Sequence, residues 1–330
     1  MNKVSVIIPT YNRARFLRSA VESVAAQHYP DVEIIIVDDR SNDNTVDVVN
    51  GLKRQFPDII YRLNRRSQGP SGARNEGLLA ATGDYISFLD SDDVWLENHL
   101  STGLSLLADN PNTGVVFGNL MVADYHSKKH LYNYFDKKKV LLDLPALQLD
   151  DGVRLIEGNI FEALIQENFF HLGSSIVSRK VMKDVFFDER VTFAEDADFA
   201  IQLFMKNQAR FVCRMDPTYV VYKHDENITS VHRADTKMQD AEILLFSEYL
   251  EKYAENRFQK VLLKRKISEE LLDRSYTRRS QGDYVRALVD LWKSAARKAT
   301  PAHFVEAAKL IGLFAARVLR AGSVAAWKRT

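Results

Sequence analysis

The chain reads as an α/β protein: a doubly wound, mostly parallel sheet flanked by helices, followed by a C-terminal α-helical region. Three observations predict this. Two near-continuous apolar runs, residues 4–8 and 32–37, each lead into an amphipathic helical pattern, as strands buried on both faces and joined by crossover helices do. A third apolar and aromatic run, residues 85–89, follows the Gly83-Asp84 turn and opens directly into Asp90, Ser91, Asp92 and Asp93. From about residue 234 onward the pattern is helical throughout.

The elements follow in order. The strand at 4–8 ends in Pro9-Thr10-Tyr11-Asn12, and Phe16, Leu17, Ala20, Val21 and Val24 give the next stretch, about 14–27, one apolar face. The strand at 32–37 ends in Asp38-Asp39, with a helix expected over roughly 45–54. Gly69 to Gly77 is a flexible turn running into a helix that carries Arg74 and Asn75. A helix is expected over 95–108, strands at 115–117 and 176–177, and a helix led by Glu195, Asp196 and Asp198, whose acids suit the positive end of its dipole. The stretch 121–151 is expected to be irregular, and 219–222 to be the last core strand. Ligands in such sheets sit beyond the carboxyl ends of the strands, where Pro9 to Asn12, Asp39 and Asp90 to Asp93 converge.

With 330 residues, 46% hydrophobic and 27% charged, the chain can form one large domain plus a smaller one. A formal charge of +1 gives no electrostatic case for nucleic acid. Cys213 is the single cysteine, so internal disulfides and cysteine-built metal sites are excluded and a reducing, cytoplasmic setting fits. No signal-peptide pattern precedes residue 4, and the longest apolar stretch, 310–319, is too short to span a bilayer and is interrupted by Arg317. The sequon Asn227-Ile228-Thr229 is therefore read as a coincidence.

Three carboxylates within four residues repel one another unless a cation neutralises them, and a hard divalent ion shared with a diphosphate is the economical partner. A polar turn capping a helix is the plain alternative for such a stretch taken alone. Neither the dinucleotide-binding nor the Walker glycine spacing is present.

Four ordered motifs, Pro9-Thr10-Tyr11-Asn12-Arg13, Val37-Asp38-Asp39 through Thr45, Gly72-Ala73-Arg74-Asn75-Glu76-Gly77 and Asp84 through Asp93, resemble those of family 2 glycosyltransferases of the GT-A fold. The resemblance covers about the first two thirds of the chain. It implies an inverting, hexosyltransferase-like enzyme with a nucleotide-diphospho-sugar donor, most often a UDP-sugar, and a glycan or lipid-linked saccharide acceptor. By the same resemblance Pro9, Thr10, Tyr11, Asn12 and Asp39 hold the nucleoside, Arg74 lies near the diphosphate, Asp90 and Ser91 are on the donor side, and Asp92 with Asp90 holds Mn²⁺ or Mg²⁺. Asp93 is an open candidate for the same ion. The Glu195-Asp196 stretch resembles the family's acidic motif and makes Asp196 the general base, which a weakly nucleophilic sugar hydroxyl requires. His224 matches a position where relatives often carry a histidine, and is either a metal or diphosphate ligand or a structural partner of nearby acids.

The expected division is a GT-A domain over 1–232 and a helical region over 233–330. Tyr125, His126, Lys128, Tyr132 and Tyr134 are candidates for an acceptor surface, the plain alternative being a solvated loop. Gln281 to Tyr284 resembles a helix-hairpin turn of the tetratricopeptide type. Residues 301–330, with Phe304, Ala308, Ile311, Ala315 and Val318 on one face and Glu306 as their only acid, either pack on the preceding helices or touch the cytoplasmic face of a membrane. The functional alternative to an enzyme is a catalytically silent nucleotide-sugar-binding or scaffold protein acting through its helical tail. A nucleotidyl transferase is disfavoured because its Gly-rich, Arg- and Lys-bearing first loop is missing.

Overall fold

The computed structural model describes residues 2–227 and 235–313, in two compact units that divide between Asn227 and Ile228. Ala315, Arg317 and Val318 of the segment read either as packing on the preceding helices or as touching a membrane, and the end of the sequon, lie outside the described residues.

The first unit is built on one sheet. Its strands are β1 (Val4–Thr10), β2 (Val32–Asp38), β3 (Ile59–Leu63), β4 (Tyr85–Phe88), β5 (Val94–Trp95), β6 (Val115–Asp124), β7 (His130–Asn133), β8 (Ala146–Asp150), β9 (Val153–Ile156), β10 (Ser175–Ser178) and β11 (Phe211–Lys223). The order is β3-β2-β1-β4-β10-β6-β11-β9-β8, with β5 added to β11 and β7 to β6. From β3 to β11 all strands run one way except β10, which is antiparallel to both β4 and β6. The doubly wound, mostly parallel reading therefore holds for the central sheet, and the antiparallel β8–β9 ribbon extends one edge.

The helices are α1 (Ala14–Ala25), α2 (Thr45–Gln55), α3 (Pro70–Ala80), α4 (His99–Asp109), α5 (Lys139–Asp143), α6 (Ile160–Gln166) and α7 (Glu195–Asn207). The β1, β2 and β4 side chains Val4, Val6, Ile8, Ile34, Ile36 and Phe88 are almost fully buried, as expected of strands covered on both faces. Two expectations are corrected. The helix after Asp93 starts at His99 rather than 95, because Val94 and Trp95 pair with Val220 and Tyr219 and Asn98 turns left-handed at φ 63°. The stretch 121–151 is not irregular: β6 runs on to Asp124, and β7, α5 and β8 follow. Strand β3 gave no apolar run because only its first residue is buried.

Two glycines of the third motif allow close approaches of α3, Gly72 to the preceding loop and Gly77 to the sheet. A Cβ on Gly72 would run into the Ser67 carbonyl, and one on Gly77 would overlap the Ile7 side chain of β1. Gly77→Ala should therefore destabilise the first unit: overpacking costs about 1–3 kcal/mol, against a helix-propensity gain of at most about 1 kcal/mol. An unchanged or raised urea midpoint would show that α3 can move away from β1.

The second unit comprises α8 (Lys237–Lys252), α9 (Arg257–Ser280), α10 (Tyr284–Lys298) and α11, a helix over residues 301–313. Asn256 and Gln259 form a capping box on α9, and Gly282 at φ 79° makes the turn into α10 that the sequence marks. Ala287, Leu291 and Leu310 form the core between α10 and α11. Among the described residues no helix is long and apolar enough to cross a membrane.

Candidate active site

The parallel registers align the strand ends named by the sequence: Thr10 of β1 pairs with Asp38 of β2, and Ile7 with Phe88 of β4. Beyond Thr10 the Asp39 N–H donates to the Thr10 carbonyl (2.8 Å). Asp38 is consumed by structure, accepting from the Ser41 N–H (2.8 Å) and the Tyr61 hydroxyl (2.7 Å). Asp39 is buried and accepts from the Gly69 N–H (2.8 Å) and Asn64 Nδ2 (2.5 Å); burial raises its carboxyl above the ordinary range. The Thr10 hydroxyl is buried without a hydrogen-bond partner, while Tyr11 is 47% exposed. Pro9 pairs in register with Val37, and Asn12 takes a left-handed φ of 52°, accepting from the Asn42 N–H (2.8 Å).

The loop carrying Asn64 and Gly69 is held from below. Glu189 accepts from Asn75 Nδ2 (2.9 Å), the Ser67 N–H (3.2 Å) and Arg66 Nε. Burial works against that carboxylate, but these donors outweigh it and hold its pKa at about 2.

Past β4, the acidic residues part company. Asp93 turns into the core, where the Tyr219 hydroxyl and the Tyr222 N–H (2.9 Å) both donate to it. Burial, with Asp92 and Asp90 close by, raises its carboxyl well above the usual range. With both oxygens engaged, Asp93 does not fit as a metal ligand. Ser91 is buried between its neighbours. Asp92 lies 3.0 Å through Oδ2 from His224 Nε2, with Arg13 Nε at 3.6 Å. His224 is buried, stacks on Phe16 (4.7 Å) and leaves Nδ1 without a partner.

Asp90 meets a different partner. Arg74, in the first turns of α3, donates through Nη2 to Asp90 Oδ1 (2.8 Å) and through Nη1 to Glu195 Oε1 (3.1 Å), with its guanidinium 5.6 Å from the Phe187 ring centre. Arg74 and Asp90, which the sequence resemblance assigns to the diphosphate and to the donor and metal, pair with one another in this structure. The physical reason is that Arg74 is buried, and a buried guanidinium requires carboxylates against it. Burial works to raise the Asp90 carboxyl, and Arg74 together with His171 outweighs it, leaving the pKa low.

Asp196, one residue along α7, is half-buried and accepts from the Leu172 N–H (3.2 Å). Burial raises its pKa to about 6, against the pull of Arg74 and with a push from Asp90. Burial and the adjacent Asp196 raise Glu195 to about 7, again against Arg74. Asp198 is buried and accepts from Gln202 Nε2 (2.7 Å), a structural bond inside α7.

The structure thus brings together Arg74, Asp90, Glu195 and Asp196, pairs Asp92 with His224, and sets Thr10 beside Asp39. Sequence reading missed Asn64, Glu189 and His171. His171 lies close enough to Asp90, Arg74 and Glu195 to feel their charges, and burial lowers its pKa. Of the acceptor candidates, Tyr125 packs edge-on to Phe16 and His224, Lys128 sits over the Tyr125 and Tyr222 rings, and Tyr134 donates to the Asn168 carbonyl (2.9 Å).

A largely parallel sheet whose acidic strand ends face a second acidic group at a later helix start defines a GT-A-type protein. The match to known proteins makes it specific: the model of glycosyl transferase family 2 covers residues 5–184, and the chain belongs to that family. It is 46% identical over 150 residues to the uncharacterized glycosyltransferase alr2836 of Nostoc sp., a match to 46% of each chain. It is 30% identical over 228 residues to the GalNAc(5)-diNAcBac-PP-undecaprenol β-1,3-glucosyltransferase of Campylobacter jejuni, covering 68% of this chain and 67% of that one. The chain therefore spans less than half the length of the first relative. S. aureus TarS 1-349, solved in complex with UDP-GlcNAc, has the same fold (TM-score 0.64, 20% identity, 94% of this chain and 92% of that one).

Proposed function

We propose that the chain transfers a hexose, with inversion, from a nucleoside diphosphate donor to a hydroxyl of a lipid-linked or other cell-envelope saccharide. The observation that carries this is Asp196: a half-buried carboxylate with a pKa near 6, coupled through the Arg74 clamp to the strand end that bears Asp90 and Asp92. A base poised just below neutral pH is ionised at working pH and still able to accept a proton in the transition state. Asp196 is its natural holder, since Glu195 is bound to Arg74.

The nucleoside site is assigned to Pro9, Thr10, Tyr11, Asn12 and Asp39. An unpartnered buried hydroxyl on Thr10 and a fixed carboxylate on Asp39 suit the donors and acceptors of a base edge, and the exposed Tyr11 ring suits its face. Uridine is the preferred reading, by analogy with the UDP-GlcNAc complex of the TarS neighbour. The lipid-linked acceptor follows the activity named for the Campylobacter relative. The catalytic domain is assigned to 1–232 and the helical region to 233–330.

For a divalent ion the donor set fits in part. Among the described residues no group of three or more acidic, His or Cys side chains is preassembled, but Asp92 Oδ2 and His224 Nε2 already lie 3.0 Å apart, with Asn227 Nδ2 3.2 Å from the same nitrogen. Asp92 and His224, with Asp90 of the same strand end, would hold Mn²⁺ or Mg²⁺, completed by donor phosphate oxygens and water. When bound, the ion would stabilise the charge of the departing nucleoside diphosphate.

A thermal-shift panel tests this reading. At about a hundred times its dissociation constant, the correct nucleoside diphosphate should stabilise the protein by roughly 2.7 kcal/mol. UDP with Mn²⁺ is expected to outperform GDP, CDP and dTDP, and chelator or Asp92→Asn to remove most of the shift. No shift with any nucleotide, or one indifferent to both chelator and Asp92→Asn, would sink the assignment.

A further inference from the structure

Helices α10 and α11 sort their charges in an unusual way. Residues 284–313 contain two acids, Asp290 and Glu306, which are 1% and 0% exposed. Asp290 is paired inward with Arg274 (2.7 Å) and Arg278 (2.5 Å), and Glu306 with Arg279 (2.5 Å). All five cations of the same stretch, Arg286, Lys293, Arg297, Lys298 and Lys309, are on the surface. Of these five, Arg286 is the one that pairs with an acid among the described residues, Asp283 at 3.6 Å.

The two helices also expose large apolar groups, spaced i, i+4, i+7 on α10 and, for Phe304 and Ile311, i, i+7 on α11. On α10 they are Val285, Val289 and Trp292, the indole 71% exposed; on α11 they are Phe304, at 74%, with Val305 and Ile311. A helix pair meant for water mixes both signs of charge and keeps such side chains inside. An apolar stripe with exposed cations beside it and both acids of residues 284–313 withdrawn is the pattern of an interfacial helix.

We propose that this face of the helical unit docks on an anionic lipid bilayer, Trp292 and Phe304 entering the headgroup region while the five cations meet lipid phosphates. Charge decides among the occupants. A second copy related by a two-fold axis would set cations against cations. Residues 314–330 carry Arg317, Arg320, Lys328 and Arg329 and no acid, so their charge offers these cations no complement. The inference adds a docking surface to the proposed lipid-linked acceptor, rests on that reading only for its purpose, and is measured without turnover.

The test uses the full-length chain carrying Trp327→Phe, so that of the remaining tryptophans Trp292 is exposed and Trp95 is buried. It is mixed with vesicles of phosphatidylcholine alone or of phosphatidylcholine with phosphatidylglycerol, and followed by co-sedimentation and indole emission. Expected are salt-sensitive binding to the phosphatidylglycerol vesicles, a blue shift, and little binding to phosphatidylcholine. Since each basic side chain near an anionic surface contributes about a fivefold factor, Lys293→Glu with Arg297→Glu should weaken binding at least roughly twenty-fivefold. Trp292→Glu should weaken it comparably, with an unchanged melting curve because the indole is exposed. Three results would overturn the proposal: equal binding to both vesicles, wild-type binding by both variants, or a lipid-free dimer that Trp292→Glu dissolves. Failure of transfer to any lipid-linked acceptor, with vesicle binding intact, would count against the transferase reading alone.

Discussion

Asp196→Asn should lower kcat/KM for sugar transfer by roughly 10²- to 10⁴-fold, the range a positioned general base supplies. Binding of the nucleoside diphosphate should be unaffected, since Asp39, Thr10 and Asp92 are untouched. The wild-type rate should fall on the acid side of about pH 6, where Asp196 takes up a proton, and that limb should vanish from the residual rate of the variant. Stability carries the opposite sign. A carboxyl whose folded pKa is raised by burial favours folding below its unfolded value near 4 and loses that contribution as pH rises through about 6. At neutral pH the Asn variant should thus be as stable as the wild type or more so. Near-normal transfer by Asp196→Asn, or a collapse of its melting temperature, would remove Asp196 from the base role.

How much of this was legible in the sequence depends on where each interaction lives. The β1, β2 and β4 cores were legible because strands buried on both faces spell themselves as apolar runs, and the strand-end motifs followed from the topology of such sheets. Strand β3 was not, because it is mostly half-exposed and its product, Asn64, lies in no motif. The acidic run at 90–93 looked like one cluster, yet alternate residues beyond a strand face different environments. Asp93 went to Tyr219, Asp90 to Arg74, and Asp92 to His224, each partner distant in sequence. Spacing shows that carboxylates are near one another; it does not show which cation reaches each. Likewise, exposed Trp292 belongs to an amphipathic pattern that the sequence carries, but the inward pairing of Asp290 and Glu306 emerges only with the packing of α9 against α10 and α11.

Arg74→Met should show that the guanidinium is a positioning residue that serves both acidic groups. Removing it leaves Asp90 and Glu195 without their cation and Asp196 without its nearest positive charge. Deleting one partner of a buried pair costs about 3–5 kcal/mol, and the lower end applies here because the Asp90 side chain keeps 34% of its surface in water. The loss should be largest at high pH, where all three carboxyls are ionised, and should shrink as pH falls and they protonate. Arg74 also pulls the Asp196 pKa down, so in the Met variant the acid limb of the transfer rate should move to higher pH than the wild-type value of about 6. Arg74→Lys keeps the charge but not the fork, so one ammonium cannot hold Asp90 and Glu195 as two Nη atoms do. It should recover part of the pKa effect and less of the stability. If Arg74→Met left the acid limb where it was and lost only stability, the residue would be a fold clamp. A shifted limb would instead tie the donor-side carboxylate and the proton acceptor to one buried charge.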